Sequence, residues 1–163
     1  HSTMKDALSR PFAIDDLQEL ADRIRKANSL LIVGDNCGEA VLDKLLLDIA
    51  KVPNSYFSVR TKPALNDITM KEALEIRMDE VATLMDSGAD APGAQEKTMK
   101  REFSEVYFSA DVVISKGQGN LEGLSSVKRE IFFLLMAKCE VIGGFLGVPK
   151  GSFVAYKKAE SRG

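Results

Sequence analysis

Histidine is almost absent from this 163-residue chain: the only one is His1, at the terminus. Catalysis by a histidine base is therefore set aside. Cysteine is nearly as scarce. Cys37 and Cys139 are not spaced as a metal-binding pair, and with no recognisable secretory signal they are expected to be reduced thiols in a cytoplasmic protein. An excess of one charge is missing too. The net charge is -2 with both signs mixed, which lacks the basic footprint of a general nucleic-acid binder. No apolar run approaches the roughly 20 residues needed to span a bilayer. Neither nucleic acid nor membrane is expected as a partner. There is no internal repeat and no low-complexity linker. What remains is 45% hydrophobic and 28% charged residues, the composition of an ordinary globular domain large enough to bury a core.

Within that frame one stretch stands out. Leu30-Leu-Ile-Val33 is a short apolar run of the kind buried on both faces of a parallel sheet. Gly34, Asp35, Asn36 and Gly38 then form a tight turn. An apolar helical pattern follows at Ala40, Val41, Leu42, Leu45, Leu46 and Ile49. Strand, turn and helix place two oxygen-bearing side chains at a strand's carboxyl end, where open parallel sheets bind ligands.

The rest of the chain repeats the alternation. Residues 1–14 are a lead-in, with His1-Ser2-Thr3 ahead of Met4 read as a remnant of cloning or cleavage. Asp15 or Asp16 caps a helix to about Asn28. Further strands are expected over 56–60, 80–85, 112–115, 131–136 and 153–156, with helices over 39–51, 69–77, 100–110 and 121–126. A loop is expected over 89–98, a short helical or irregular segment over 138–146, and a polar tail over 158–163. This predicts a single α/β domain over 15–157, with a mainly parallel sheet covered on both faces as a three-layer α/β/α sandwich.

The turns after these strands hold the chemistry. The first gives Asp35-Asn36, the second Asn66-Asp67, the third Ser87-Gly88, and the fourth Lys116-Gly-Gln-Gly-Asn120. In a parallel sheet they lie along one edge. Two carboxylates with amide oxygens make a hard, oxygen-rich site suited to Mg²⁺ or Mn²⁺. A lysine in a glycine-rich turn suits phosphate. Each feature also has a plainer reading. Asp35-Asn36 is what a turn and a helix cap need. Glu39 is favoured in a first helical turn by the helix dipole alone. Asp43 reads as a surface residue or as support for the site, and Arg60 equally as an anion ligand or a solvent-facing residue. The glycine-rich turn is neither a dinucleotide fingerprint nor a Walker loop. A kinase or methyltransferase is therefore less favoured than phosphoester hydrolysis.

Taken together, Asp35-Asn-Cys-Gly-Glu39 with Asp43-Lys44-Leu45-Leu46, Pro63-Ala-Leu-Asn66-Asp67, Arg101-Glu102-Phe103, Ala110-Asp111 through Lys116-Gly-Gln-Gly-Asn120-Leu-Glu122, Phe132-Phe133 and Ala137-Lys138-Cys139 resemble the damage-control phosphatase family. This group is also known as domain-of-unknown-function family 89. The likeness is strongest to its compact prokaryotic and archaeal branch. The resemblance implies a three-layer α/β/α fold and hydrolysis of small phosphomonoesters, such as sugar phosphates or damaged phosphometabolites. It implies a divalent metal (Mg²⁺, Mn²⁺, Co²⁺ or Ni²⁺) held by Asp35, Asn36 and Asp67. It also implies a phosphate contact from Lys116, with Asn120 and Glu122 nearby. Combined with the turns, the expected catalytic set is Asp35, Lys116 and Asp67. Arg60, Ser87, Gly88 and Glu39 are added as substrate-side residues. Asp35 is either nucleophile or metal ligand. Family members carry a helical region ahead of the α/β part that this sequence does not show. The alternative expectation is therefore a non-catalytic phosphate- or metal-binding module, or a piece needing that region, with an apolar surface open to association.

Overall fold

The strand at Ser29–Val33 (β2) lies at the middle of the molecule because it can lie nowhere else. Leu30, Leu31, Ile32 and Val33 are all buried, with apolar side chains on both faces. The computed structural model describes residues 10–89 and 93–160. Among them β2 is preceded by β1 (Ile14–Asp15) and α1 (Leu17–Lys26). It is followed by α2 (Cys37–Ala50), β3 (Asn54–Val59), α3 (Met70–Glu75), β4 (Thr83–Asp86) and α4 (Arg101–Ser109). The chain then continues through β5 (Val112–Lys116), α5 (Gln118–Leu124), β6 (Ile131–Met136), α6 (Glu140–Leu146) and β7 (Phe153–Lys158).

The seven strands form one sheet in the order β1-β7-β6-β5-β2-β3-β4. Pairing is parallel from β4 through β6, and only β6–β7 is antiparallel. Two cores sit on opposite faces. One gathers Leu20 of α1, Ala40 and Leu47 of α2 and Ala73 of α3 over Leu30, Ile32, Phe57 and Ile114. The other gathers Phe103 and Tyr107 of α4, Leu121 and Leu124 of α5 and Ile142 of α6 over Leu31, Val33, Val113 and Phe133. This is the expected three-layer α/β/α sandwich. Each Val, Leu, Ile or Phe of these cores, when fully buried, contributes about 1.5–3 kcal/mol of apolar transfer free energy.

The strand order reverses at β2. From there the chain builds outward through β3 and β4 on one side, and later through β5 and β6 on the other. The crevice at the carboxyl ends of β2 and β5 is thus a topological switch point. Asp35 follows β2, and the glycine-rich turn leaves β5.

Several boundaries differ from the expected ones for local reasons. α2 starts at Cys37 because the Asn36 side chain accepts the Gly38 N–H at 2.7 Å. The strand expected over 80–85 begins at Thr83, because Met78–Glu80 forms a 3₁₀ turn after left-handed Arg77. The segment over 138–146 is helical from Glu140. β1, inside the expected lead-in, is two residues recruited by Val154 and Ala155 of β7. The expected cloning remnant at 1–3 and part of the 89–98 loop lie outside the described residues.

α2 carries a second surprise. Only Ala40, Asp43 and Leu47 are buried, whereas Val41, Leu42, Leu45 and Ile49 are exposed, Ile49 at 70%. The helix is apolar on two faces, and only one of them meets the sheet.

Candidate active site

Backbone hydrogen bonds bring the first two turns together. Asp67 bridges to Asn36, the Cys37 N–H donates to Asn66 O at 2.8 Å, and the Ile68 N–H donates to Asp35 O at 2.8 Å. The Arg60 N–H in turn donates to Ile68 O at 3.0 Å. The strap Asn66–Ile68 is therefore stitched to the β2–α2 turn on one side and to the end of β3 on the other. Its Asp67 joins Asp35 and Asn36 in lining one open cleft of about 420 Å³, together with Gln118, Glu122 and Lys138.

Asp35 is the perturbed group of the cleft. Burial first, then the neighbouring charges of Asp67 and Glu39, push its carboxyl up to about 6, against weaker pulls from Lys138 and Lys116. Gly117 makes room for it. A Cβ at that position would stand 1.9 Å from Asp35 Oδ2, and the backbone there has φ +79°. Glycine is required at 117 on both counts.

The donor set fits a hard divalent cation. Asp35 and Asp67 offer carboxylate oxygens, and Asn36 Oδ1 spends one lone pair on Gly38 and keeps another. Two crowded carboxylates, one held well above its ordinary value, are the environment a cation relieves. Among the described residues no three carboxylate, imidazole or thiol groups converge on a single point. A cation here would therefore depend on the Asn36 amide and on oxygens brought by water or substrate.

The other expected residues are distributed differently. Glu122 lines the cleft, but Lys116 does not share in that lining. Its Nζ lies 2.8 Å from Asp43 Oδ1 and 3.1 Å from Glu39 Oε2, with the side chain 12% exposed. Burial works against its charge, but Asp43 and Glu39 outweigh burial and hold it above the ordinary lysine value. Asp43 is thus a buried partner of Lys116 and not a surface residue. Glu39 joins them from the first turn of α2. Asn120 is buried and fully engaged. Its Nδ2 donates to Gly34 O at 3.1 Å and Lys116 O at 2.8 Å, while Oδ1 accepts the Ala94 N–H at 2.8 Å. Arg60 does not face solvent: it is buried, with Nη1 donating to Asp67 Oδ2. Ser87 is buried and accepts the Ala89 N–H at 3.3 Å. Gly88, at φ +84°, packs on Thr98 O. Neither lines the cleft with Asp35.

Two polar side chains of the cleft, Lys138 and Gln118, had no role assigned from sequence. Lys138, just past the carboxyl end of β6, supplies the ammonium there. Gln118 ties its turn to that of Lys138: Oε1 accepts the Lys138 N–H at 3.1 Å, and Nε2 donates to Glu122 Oε1 at 3.2 Å. The available signal was position, since Lys138 follows a strand that pairs with β5 in parallel.

A doubly covered, mainly parallel sheet with an acidic, amide-bearing cleft at its switch point defines an α/β protein equipped for charged oxygen ligands. The chain belongs to the damage-control phosphatase ARMT1-like domain family, whose model matches residues 1–154. It is 36% identical over 148 residues to a damage-control phosphatase of Pyrococcus horikoshii, covering 88% of this chain and 52% of the relative. It is 33% identical over 140 residues to a damage-control phosphatase of Archaeoglobus fulgidus, covering 82% and 49%. The crystal structure of a DUF89 family protein from Pyrococcus horikoshii superposes with a TM-score of 0.89 at 33% identity, covering 94% of this chain and 55% of that one. The chain spans about half the length of the relatives it matches.

Proposed function

We propose that this α/β unit carries the metal and phosphate chemistry of a divalent-metal-dependent phosphatase acting on small phosphorylated metabolites. The observation that supports the reading is the single cleft at the switch point, in which Asp35, Asn36 and Asp67 share the lining with Lys138. Family membership and two relatives named as damage-control phosphatases support it independently.

Asp35, Asn36 and Asp67 would hold the cation, with Mg²⁺, Mn²⁺, Co²⁺ and Ni²⁺ as candidates. A cation bound there supplies Lewis-acid polarisation of a phosphoryl oxygen. Lys138 neutralises charge on the phosphoryl group, and the Gln118 contact to its backbone N–H holds its main chain at the edge of the cleft. Gln118 and Glu122 border the same space and orient the hydroxyl-bearing part of a substrate. Lys116 is paired with Asp43 and Glu39, and its pull on Asp35 is weaker than the push from Glu39. Asp35 serves either as a ligand or as the nucleophile of an aspartyl-phosphate; trapping of a radiolabelled phosphoenzyme separates the two. Sugar phosphates and damaged phosphometabolites are the proposed substrates and the cytoplasm the proposed location. Among the described residues no helix is long and apolar enough to cross a membrane.

A second reading is that this unit binds ligand but turns over only with a further helical region. The half-length match and the exposed Val41, Leu42, Leu45 and Ile49 of α2 favour it. Self-association through the same face is the competing expectation. Hydrolysis of an aryl phosphate by the 163-residue chain, stripped with EDTA and resupplied with each metal, tests the proposal. Metal-dependent turnover lost in Asp35→Ala supports it. Metal binding without turnover supports the second reading.

A further inference from the structure

Arg60 was expected at the substrate, but its burial places it elsewhere. Its side chain is 6% exposed, and Nη1 donates to Asp67 Oδ2. Nε and Nη2 are buried with no hydrogen-bond partner among the described residues. A buried guanidinium with one anionic partner depends on that partner, and removing either member of such a pair strands the other. The pair also spans a loop. Arg60 follows β3, Asp67 lies in the strap after it, and the Arg60 N–H closes the loop on Ile68 O at 3.0 Å. The same strap presents Asp67 to the cleft and to Asn36.

We infer that Arg60 is a positioning residue: it fixes the Asp67 carboxylate in the orientation from which it can serve a cation beside Asp35 and Asn36. This rests on the reading of Asp67 as a ligand. The guanidinium charge has two opposed effects here. The guanidinium repels a cation, but it also spares Asp67 the freedom that a loop carboxylate would have and offsets the like charge of Asp35. The backbone strap fixes only the Asp67 main chain, so the side chain relies on Arg60 for its orientation. Ligand-orienting partners outside the coordination sphere are worth about 10–100-fold in metal affinity.

The test is calorimetric titration of Mn²⁺ into the wild-type chain, Arg60→Met, Arg60→Lys and Asp67→Ala, with circular dichroism to check folding. Inorganic phosphate is then titrated at saturating Mn²⁺. Arg60→Met is expected to bind Mn²⁺ about 10–100-fold more weakly. Arg60→Lys keeps the charge without the planar fork and is expected to lose about 3–10-fold. Phosphate affinity at saturating Mn²⁺ is expected to stay at the wild-type value. Unchanged or tighter Mn²⁺ binding in the Arg60 variants, with Asp67→Ala impaired, overturns the inference and leaves the ligand reading standing. Unchanged binding in Asp67→Ala overturns the ligand reading itself. Weakened phosphate binding with intact Mn²⁺ affinity makes Arg60 an anion contact and overturns the positioning role. If Arg60→Met does not fold, Arg60→Lys decides.

Discussion

Asp111 and Asp35 sit at opposite ends of the same two central strands, and their environments are opposed. Asp111, just ahead of β5, accepts the N–H groups of Asn28 at 2.8 Å and Ser29 at 3.0 Å. Those bonds hold its carboxyl below the ordinary carboxylate value. Asp35, just past β2, is pushed up to about 6 by burial, Asp67 and Glu39. One carboxylate joins β5 to the start of β2 and is satisfied by the fold. The other is left with like-charged neighbours and an open cleft. The difference teaches that Asp111, at the amino edge of this sheet, serves structure. At the carboxyl edge Asp35 keeps an unfavourable environment, whereas Asp86 at the end of β4 is satisfied by Lys100, Thr61 and the Gly88 N–H; unfavourable electrostatics of the Asp35 kind tend to mark function.

The contrast can be broken hardest at Asp35. Asp35→Ala should lower metal-dependent phosphatase turnover by more than the roughly 100-fold that an outer partner costs, measured as kcat/KM with an aryl phosphate. Asp111→Ala should leave that ratio near the wild-type value. Next comes Gly117→Ala. It forces a side chain into a glycine-only backbone conformation, at about 1–3 kcal/mol, and its Cβ would meet Asp35 Oδ2. Urea denaturation should show the stability loss, and Mn²⁺ titration a weaker site.

A subtler test uses the sign of the Asp35 shift. Its folded pKa lies above the unfolded value, so the charged form is the penalised one. Stability from this group is therefore lost as pH rises from about 4 through 6. Asp35→Asn removes the charge and should raise Tm at pH 7.5 in metal-free buffer, with the gain shrinking towards pH 4. The smallest effect belongs to Asp111→Ala, which gives up two capping-type bonds worth about 1 kcal/mol. Its depressed pKa gives the opposite pH dependence: the contribution is present above the unfolded value and fades as pH falls through the folded one. Urea midpoints at pH 7 and pH 3 should show it.

Much of this architecture was legible in the sequence because its signals are local. A four-residue apolar run, a polar turn and an apolar helix reveal β2 and α2 without tertiary information. Two glycines around Gln118 reveal the turn where a carboxylate needs space. The convergence of Asp35, Asn36 and Asp67 followed from strand ends alone. What was not legible depends on where long side chains turn. Lys116 could aim into the cleft or back along α2, and buried Asp43 decides it. Arg60 pairs with Asp67 across a loop whose path no periodicity encodes. β1 is too short to have a period, and it exists only because β7 offers it an edge. The apolar pattern of α2 does not say which of its residues meet the sheet, and the structure leaves Val41, Leu42, Leu45 and Ile49 exposed.

The central claim is that Asp35 is held in an unfavourable charged state that a divalent cation relieves. ¹³C NMR of the Asp35 carboxyl, titrated with and without Mg²⁺, tests it most directly. The account predicts a titration near pH 6 in metal-free buffer that moves to lower pH when Mg²⁺ is present. An Asp35 that titrates in the ordinary carboxylate range and ignores Mg²⁺ would contradict it.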